Sequence, residues 1–323
     1  MDQASIEGPG RYDLTMTPPR LLVSLPDSRI RGLFAGAPEG IEFIEWDMTG
    51  PAPVDSIDIV VPPYMGTTMH LDRLAGVKTR LVQGLSLGYD DIAGVLPPGH
   101  VFANAVGVHE ASTAELALAL ILACQRGIPG FVRDAAKGQW SPALLPSLAD
   151  RTVLLVGYGG VGRAIEQRLL PFEVTVVRVA RTPRLDERGP VHGIESLPEL
   201  LAQADIVVIA VPLTDETTHL VDDSFLSRMR DHSLLVNVAR GKVADTAALL
   251  SHATSARLRL ALDVTDPEPL PEGHPLFGLD NVLVTPHVGG ATTAMMPRVA
   301  RLLNQQFARM LRGEEPLNVV LRS

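Results

Sequence analysis

A chain of 323 residues, 46% of them hydrophobic, is long enough for two domains that each bury a core of their own. Its formal net charge of −9 argues against nucleic acid or an anionic membrane surface as main partner, since both want a basic face; an anionic substrate gripped by a few arginines stays compatible. The single cysteine, Cys124, excludes an internal disulfide framework, fits a reducing cytoplasm and, set in an apolar stretch, reads as a small core residue.

Residues 1–19 are polar and rich in Gly and Pro, lack the basic-then-apolar order of a signal peptide, and read as a loose tail. Short β-rich runs then alternate with helix-length stretches. Residues 21–24, 57–61, 80–83 and 101–104 make a first set of strands, and 153–156, 174–179, 206–211, 234–238, 260–264 and 282–285 a second. Continuous Val/Ile/Leu runs separated in this way predict parallel strands covered on both faces. The fold class is α/β, with two doubly wound sheets whose ligand crevices lie at the carboxyl ends of the strands.

Between the two sets, Ser112-Thr113-Ala114-Glu115 has capping-box spacing, in which the serine caps the Glu115 amide and Glu115 reaches back. The helix it opens is apolar nearly all round, which predicts a buried helix carrying the chain between domains. Its apolar run, 116–124, is far short of the roughly 20 residues that span a bilayer, so no membrane partner is expected. Near the C-terminus Val299, Leu302, Leu303, Phe307 and Met310 recur at helical spacing, with Gly313 as a stop. Residues 316–320 are left to return to the first domain. The organisation expected is a discontinuous substrate domain, 20–108 and 290–323, with a dinucleotide-binding domain, 109–289, inserted in it.

Val153-Leu154-Leu155-Val156-Gly157-Tyr158-Gly159-Gly160-Val161-Gly162 is a strand running into G-x-G-x-x-G and then a helical segment. Gly157 makes the tight turn, Gly159 lets the backbone approach a pyrophosphate, and Gly162 lets helix and strand pack closely. Gly160 and Val161 lie within the fingerprint, ahead of the helical segment 163–170, whose N-terminus offers unpaired amides and a partial positive charge to phosphate. An NAD site usually carries Asp or Glu about 20 residues further on, to hold the ribose 2′-hydroxyl. Here the next strand ends Val179-Ala180-Arg181-Thr182-Pro183-Arg184, with no acid. Arg181, Thr182 and Arg184 suit a 2′-phosphate, so NADP is favoured over NAD. A solvated basic loop is the alternative.

Three later segments place polar residues directly after strand-like runs: Val236 to Gly241 with Arg240, Ala261 to Pro269 with Glu268, and Thr285 to Gly290 with His287. Singly, Arg240 fits a surface ion pair, Glu268 a loop carboxylate and His287 a hydrogen-bonded histidine. Together, behind a dinucleotide fingerprint, they supply an anion holder, an acid–base group and a carboxylate to tune it.

These segments, with Ser86-Leu87-Gly88-Tyr89-Asp90, Asn104-Ala105-Val106-Gly107-Val108-His109 and residues 211–217, make the sequence resemble the D-isomer-specific 2-hydroxyacid dehydrogenases. That family includes phosphoglycerate dehydrogenases and glyoxylate and hydroxypyruvate reductases, and the resemblance covers nearly all the chain after the tail. It implies a Rossmann cofactor domain inserted into a flavodoxin-like substrate domain, a homodimer, and a small 2-keto or 2-hydroxy acid as partner. Arg240, Glu268 and His287 fall on the family's catalytic residues. Leu87 and Gly88 fall on the loop whose amides hold the substrate carboxylate, and Asp263 on the acid at the nicotinamide end. Pro212, Thr217, Val238, Gly289 and Gly290 fall on the cofactor cleft. Hydride addition to a ketone leaves an alkoxide, so His287 would deliver the proton and Glu268 would favour the charged ring. Arg240 would bind the carboxylate and polarise the carbonyl, with His287 completing the substrate contacts.

Glu268 stands where formate dehydrogenases of the superfamily carry Gln, which disfavours formate, whereas a phosphite dehydrogenase-like activity stays open. So does a corepressor or redox sensor that binds dinucleotide without turnover. His109 is expected to help cap its helix or line the cofactor cleft, and His274 to order a loop. No Cys/His spacing suggests a metal. Substrate selectivity is expected from residues 62–66 and 85–90 and from the neighbourhood of Met295 and Met296.

Overall fold

The computed structural model describes residues 20–34, 39–64 and 67–323. The expectations for the tail, 1–19, and for Met65 and Gly66 of the selectivity loop lie outside the described residues.

The first sheet begins with β1 (Leu21–Leu25), α1 (Ser28–Gly32), β2 (Ile41–Glu45), β3 (Ile59–Val60), β4 (Leu81–Gln83) and β5 (Val101–Ala103). The chain then crosses through α2 (Glu110–Gln125) and α3 (Ile128–Ala136) to β6 (Thr152–Val156), α4 (Gly160–Leu169) and β7 (Thr175–Val179). A small hairpin, β8 (Arg184–Asp186) and β9 (Gly189–Val191), leads to α5 (Leu197–Leu201), β10 (Ile206–Ile209), α6 (Asp223–Arg228) and β11 (Leu234–Asn237). There follow α7 (Thr246–Thr254), β12 (Arg259–Leu262) and β13 (Val282–Val284), before α8 (Met295–Leu311) and β14 (Val319–Arg322) return to the first sheet. The sheet orders are β14-β5-β4-β3-β1-β2 and β13-β12-β11-β10-β6-β7.

The second sheet is parallel throughout, and its β6, β10 and β11 are almost wholly buried Val, Ile and Leu. Helices on both faces account for those continuous apolar runs. α2 is apolar on most sides because it packs against both that sheet and α4, in a core with Leu155, Ile165 and Val208. The first sheet departs from the expectation at one edge, where β14 runs antiparallel to β5. Its chain arrives from α8, which comes from the other sheet, so no parallel crossover from β5 is imposed. β2 gave no strand signal in the sequence because Glu42 and Glu45 interrupt its apolar run, as suits a half-exposed edge.

α8 buries Val299, Leu302, Leu303, Phe307 and Met310 against β1, and Phe307 meets Phe34 and Phe43 with ring centroids 5.5 and 5.9 Å away. Gln306, fully buried, donates to Gln83 Oε1 at 2.6 Å and to the Leu317 carbonyl at 2.9 Å. That pair ties α8 to β4 without an orphaned amide group.

The capping box is not formed. α2 starts at Glu110, so Ser112 lies inside its first turn and shares a 2.8 Å hydrogen bond with the Thr292 hydroxyl, while Glu115 is exposed. The bond that reaches back comes from Glu110, whose Oε1 accepts from the Gly107 amide at 2.8 Å. Gly107, at φ 92°, turns the chain into the helix earlier than the Ser-to-Glu spacing suggests. No single helix among the described residues is long and apolar enough to cross a membrane.

Candidate active site and dinucleotide cleft

The glycine turn has the geometry its spacing predicts. Gly157 sits at φ 105°, where a Cβ would strike the Ala210 carbonyl and lie 2.8 Å from the Val211 amide nitrogen. A Cβ at Gly162 would strike the Gly157 carbonyl. Gly159, in extended backbone just before α4, has open space where its Cβ would stand, and Gly160 and Val161 open the helix. Bare backbone of this kind at a helix N-terminus suits a phosphate group. Gly160 also packs against Glu110, with 3.0 Å from its ideal Cβ position to Glu110 Cγ. Nothing in the sequence reading assigned that neighbour, which arrives from α2.

The basic loop after β7 divides its arginines. Arg181 and Thr182 are exposed. Glu216 lies across from Arg181; the Thr214 hydroxyl, with a smaller contribution from the Arg181 charge, holds its carboxyl below the usual range. Arg184 turns back, donating to the Tyr158 carbonyl at 3.0 Å and to the Thr182 carbonyl at 3.3 Å. Tyr158 itself lies among the guanidiniums of Arg163, Arg178 and Arg184, 5.5–5.7 Å from its ring centroid. Behind it Glu166 pairs with Arg178 and Arg188 and accepts from the Tyr158 hydroxyl. Across the cleft, the Thr217 hydroxyl donates to the Pro212 carbonyl at 2.7 Å and accepts from the Thr214 amide at 2.8 Å. Thr217 therefore shapes its own loop, and Val238 is buried at the end of β11.

β11, β12 and β13 are neighbours in register, Asn237 beside Leu262 and Leu262 beside Val284. Arg240, Asp263, Glu268 and His287 follow their carboxyl ends, which brings the three sequence segments to one edge of the sheet. Asn237 shapes the first turn: its Oδ1 accepts from the Ala239 amide at 3.0 Å and its Nδ2 donates to the Arg240 carbonyl at 3.1 Å. Gly241 lets the second loop come close, since a Cβ there would strike the Thr265 carbonyl. His287 Nδ1 lies 2.5 Å from Glu268 Oε1, which leaves Nε2 with no partner among the described residues.

Asp263 has a larger structural part than expected. It is buried, and its Oδ1 accepts from the Thr285 hydroxyl at 2.7 Å and the Val288 amide at 2.9 Å, while Oδ2 accepts from the Gly289 amide at 2.9 Å. His287 occupies the left-handed region, at φ 51°, and its amide donates to the Asp263 carbonyl at 2.8 Å. The carboxylate thus clamps both sides of a turn that a non-glycine residue adopts only under constraint.

Arg240 reaches the other sheet. Its Nε donates to Asp90 Oδ1 at 3.1 Å and its Nη1 to the Ala239 carbonyl at 2.9 Å, and a Cβ at Gly88 would strike the guanidinium. The structure therefore brings Arg240, Gly88 and Asp90 together, and the ion pair gives Asp90, expected only as part of a selectivity loop, a hold on Arg240. Tyr64 lies near enough for the Arg240 charge to act on it, although burial is the stronger influence and pushes its phenol up. His109 does not cap α2 with its side chain; its ring turns instead toward Gly290 and Leu85. His274 does order a loop, with Nδ1 accepting from the Leu276 amide at 3.3 Å.

Residues 118–289 match the profile described as D-isomer specific 2-hydroxyacid dehydrogenase, NAD binding domain. The human glyoxylate reductase/hydroxypyruvate reductase is 32% identical over 291 residues, spanning 84% of this chain and 89% of its own. The glyoxylate reductase of Thermofilum pendens is 36% identical over 253 residues, 75% of each chain. Among solved structures, a D-isomer specific 2-hydroxyacid dehydrogenase from Xanthobacter autotrophicus in complex with NADPH and MES superposes with a TM-score of 0.77. It is 28% identical, over 94% of this chain and 98% of that one.

Proposed function

Because the chain belongs to the D-isomer-specific 2-hydroxyacid dehydrogenase family, an oxidoreductase family acting on CH–OH, we propose that it reduces a small 2-keto acid of the glyoxylate and hydroxypyruvate class, with NADPH preferred to NADH. The observation that carries this reading is the 2.5 Å His287–Glu268 contact on the same sheet edge that presents Arg240.

The open backbone at Gly159 and the α4 N-terminus fit a dinucleotide pyrophosphate. Arg181 and Thr182, with no acid at the end of β7, fit a 2′-phosphate, and Arg184 orders their loop. A reduced dinucleotide held there would supply the hydride for the keto carbon. The chain's own residues do the rest. Arg240, steadied at Nε by Asp90, offers its terminal nitrogens to the carboxylate and the carbonyl oxygen. The amides of Leu87 and Gly88 take the other side of the carboxylate. His287, held at Nδ1 by Glu268, gives the proton on Nε2 to the forming alkoxide and takes it back in the oxidation direction. Asp263 keeps the His287 turn in place and has one lone pair, on Oδ2, left for a carboxamide.

We further place the domain boundary at the two crossings, 108/109 and 289/290. A homodimer through the α3 face is supported by Phe131 and Val132 on α3 and by Trp140 and Leu144 beyond it, large apolar side chains all exposed in the single chain. The test is a panel of glyoxylate, hydroxypyruvate, pyruvate and longer 2-keto acids with NADPH and NADH, read as loss of absorbance of the reduced cofactor. Turnover fastest with the two-carbon or three-carbon hydroxylated acid and NADPH is expected; cofactor binding with no turnover of any of them overturns the reading in favour of a binding protein.

A further inference from the structure

The first crossing between the sheets, residues 104–110, also sets the shape of the loop assigned above to the substrate carboxylate. Three successive carbonyls of that loop accept from it. Leu85 accepts from His109 Nε2 at 2.6 Å, Ser86 from the Ala105 amide at 2.9 Å, and Leu87 from Asn104 Nδ2 at 2.8 Å. With the carbonyls turned to the crossing, the amides of Leu87 and Gly88 have no acceptor among the described residues. Gly88 meanwhile lies against the Arg240 guanidinium.

His109 differs from the other two donors because its ring also touches the second crossing. Nδ1 lies 3.4 Å from the Gly290 carbonyl, and a Cβ at Gly290 would stand 2.7 Å from that nitrogen and 3.2 Å from the Tyr64 hydroxyl. The ring is 4% exposed and stacks on Tyr64, centroids 5.6 Å apart and planes 18° from parallel. A carbonyl only accepts, so the 2.6 Å contact requires the hydrogen on Nε2. A phenyl ring would fill the same space and keep the stack. What imidazole adds is a donor at that one point.

We propose that His109 is a positioning residue whose Nε2 hydrogen pins the Leu85 carbonyl to the first crossing while its ring packs against Gly290 of the second, and so holds the Leu87 and Gly88 amides against Arg240 as the anion-binding edge of the site. The proposal rests on the carboxylate assignment made above. Its test is the binding of oxalate, a planar two-carbon anion, to the NADPH-loaded protein, followed by cofactor fluorescence, together with steady-state kinetics on glyoxylate.

His109→Phe should weaken oxalate and raise the KM for glyoxylate by about tenfold, the size expected for losing one buried hydrogen bond. The dissociation constant for NADPH should stay within about twofold and kcat should fall less than KM rises. His109→Gln returns a donor and should recover most of the loss. An unchanged oxalate affinity in the Phe variant, or a Gln variant no better than Phe, overturns the role of His109. Where the Phe variant shows no NADPH-dependent rise in melting temperature and so has not folded, His109→Asn, polar but shorter, carries the same expectations. A parent protein that neither binds oxalate nor turns over any 2-keto acid defeats the carboxylate assignment itself, a different outcome from a binding parent and an unchanged variant.

Discussion

Two carboxylates with basic partners flank the second sheet, Glu166 with Arg178 and Glu268 with His287, and their settings are opposite. Glu166 and Arg178 sit on α4 and β7 with side chains 0% and 9% exposed, and Tyr158 and Arg188 complete the ring of partners. Glu268 and His287 sit on loops after β12 and β13, 42% and 44% exposed, with one imidazole nitrogen uncommitted. The sealed pair has no capacity left for a ligand and holds the glycine turn against β7. The open pair keeps one ring nitrogen uncommitted on a turn that Asp263 stiffens. The same attraction is scaffold where every lone pair is used and chemistry where one is not.

The largest expected effect tests the open pair. His287→Ala should lower turnover of the best 2-keto acid by about 10²–10⁴-fold while leaving NADPH affinity and melting temperature close to the parent's, because it removes proton transfer and not a buried contact. A variant that still runs within about tenfold of the parent moves the acid elsewhere.

The sealed pair should respond in the opposite sense. Glu166→Gln leaves the Arg178 charge buried without a counter-charge and should cost about 3–5 kcal/mol of stability, with the turnover of the fraction that remains folded little changed. Its pH dependence has a definite sign. Burial pushes the Glu166 carboxyl up, but hydrogen bonds from Arg178, Tyr158 and Arg188 outweigh it and hold the group below the usual range. A folded-state value below the unfolded one contributes stability above the ordinary carboxylate range, near pH 4, which is lost as pH falls through the depressed value. Denaturant titrations from pH 6 downward should therefore converge for parent and Gln variant; parallel curves would assign the loss to packing.

The basic loop sharpens the comparison at a smaller scale, since Arg181 is open and Arg184 engaged. Arg181→Ala should cut the preference for NADPH over NADH by roughly tenfold, the size of one charge-assisted contact to phosphate. Arg184→Ala should weaken both cofactors alike, through the loop. Equal effects on the NADPH-to-NADH ratio would mean that both arginines grip the phosphate. The smallest effect concerns Cys124, whose thiol burial pushes up to about 11. A thiol reagent at pH 7 should label the native protein slowly and the denatured protein fast, without loss of activity beforehand.

Much of this molecule was legible in the chain because it depends on local geometry. The turn at Gly157 and the helix packing at Gly162 need particular residues at particular spacings, and buried parallel strands need continuous Val, Ile and Leu. Arg240, Glu268 and His287 stood out for the same reason: each follows a strand, and parallel strands point their carboxyl ends to one edge. What only the tertiary structure decided are meetings between residues far apart in the chain, for which spacing carries no signal. Arg240 finds Asp90 across 150 positions, and the His109 ring bridges Leu85 and Gly290, 24 and 181 positions away. Ser112 has capping spacing and caps nothing, because the Gly107 amide donates to Glu110 and starts the helix earlier, and Thr292 claims the hydroxyl. Sequence patterns report the periodicity of one element at a time; which buried donor meets which carbonyl is settled when two elements pack, where each unpaired polar group costs more than the local preference it overrides.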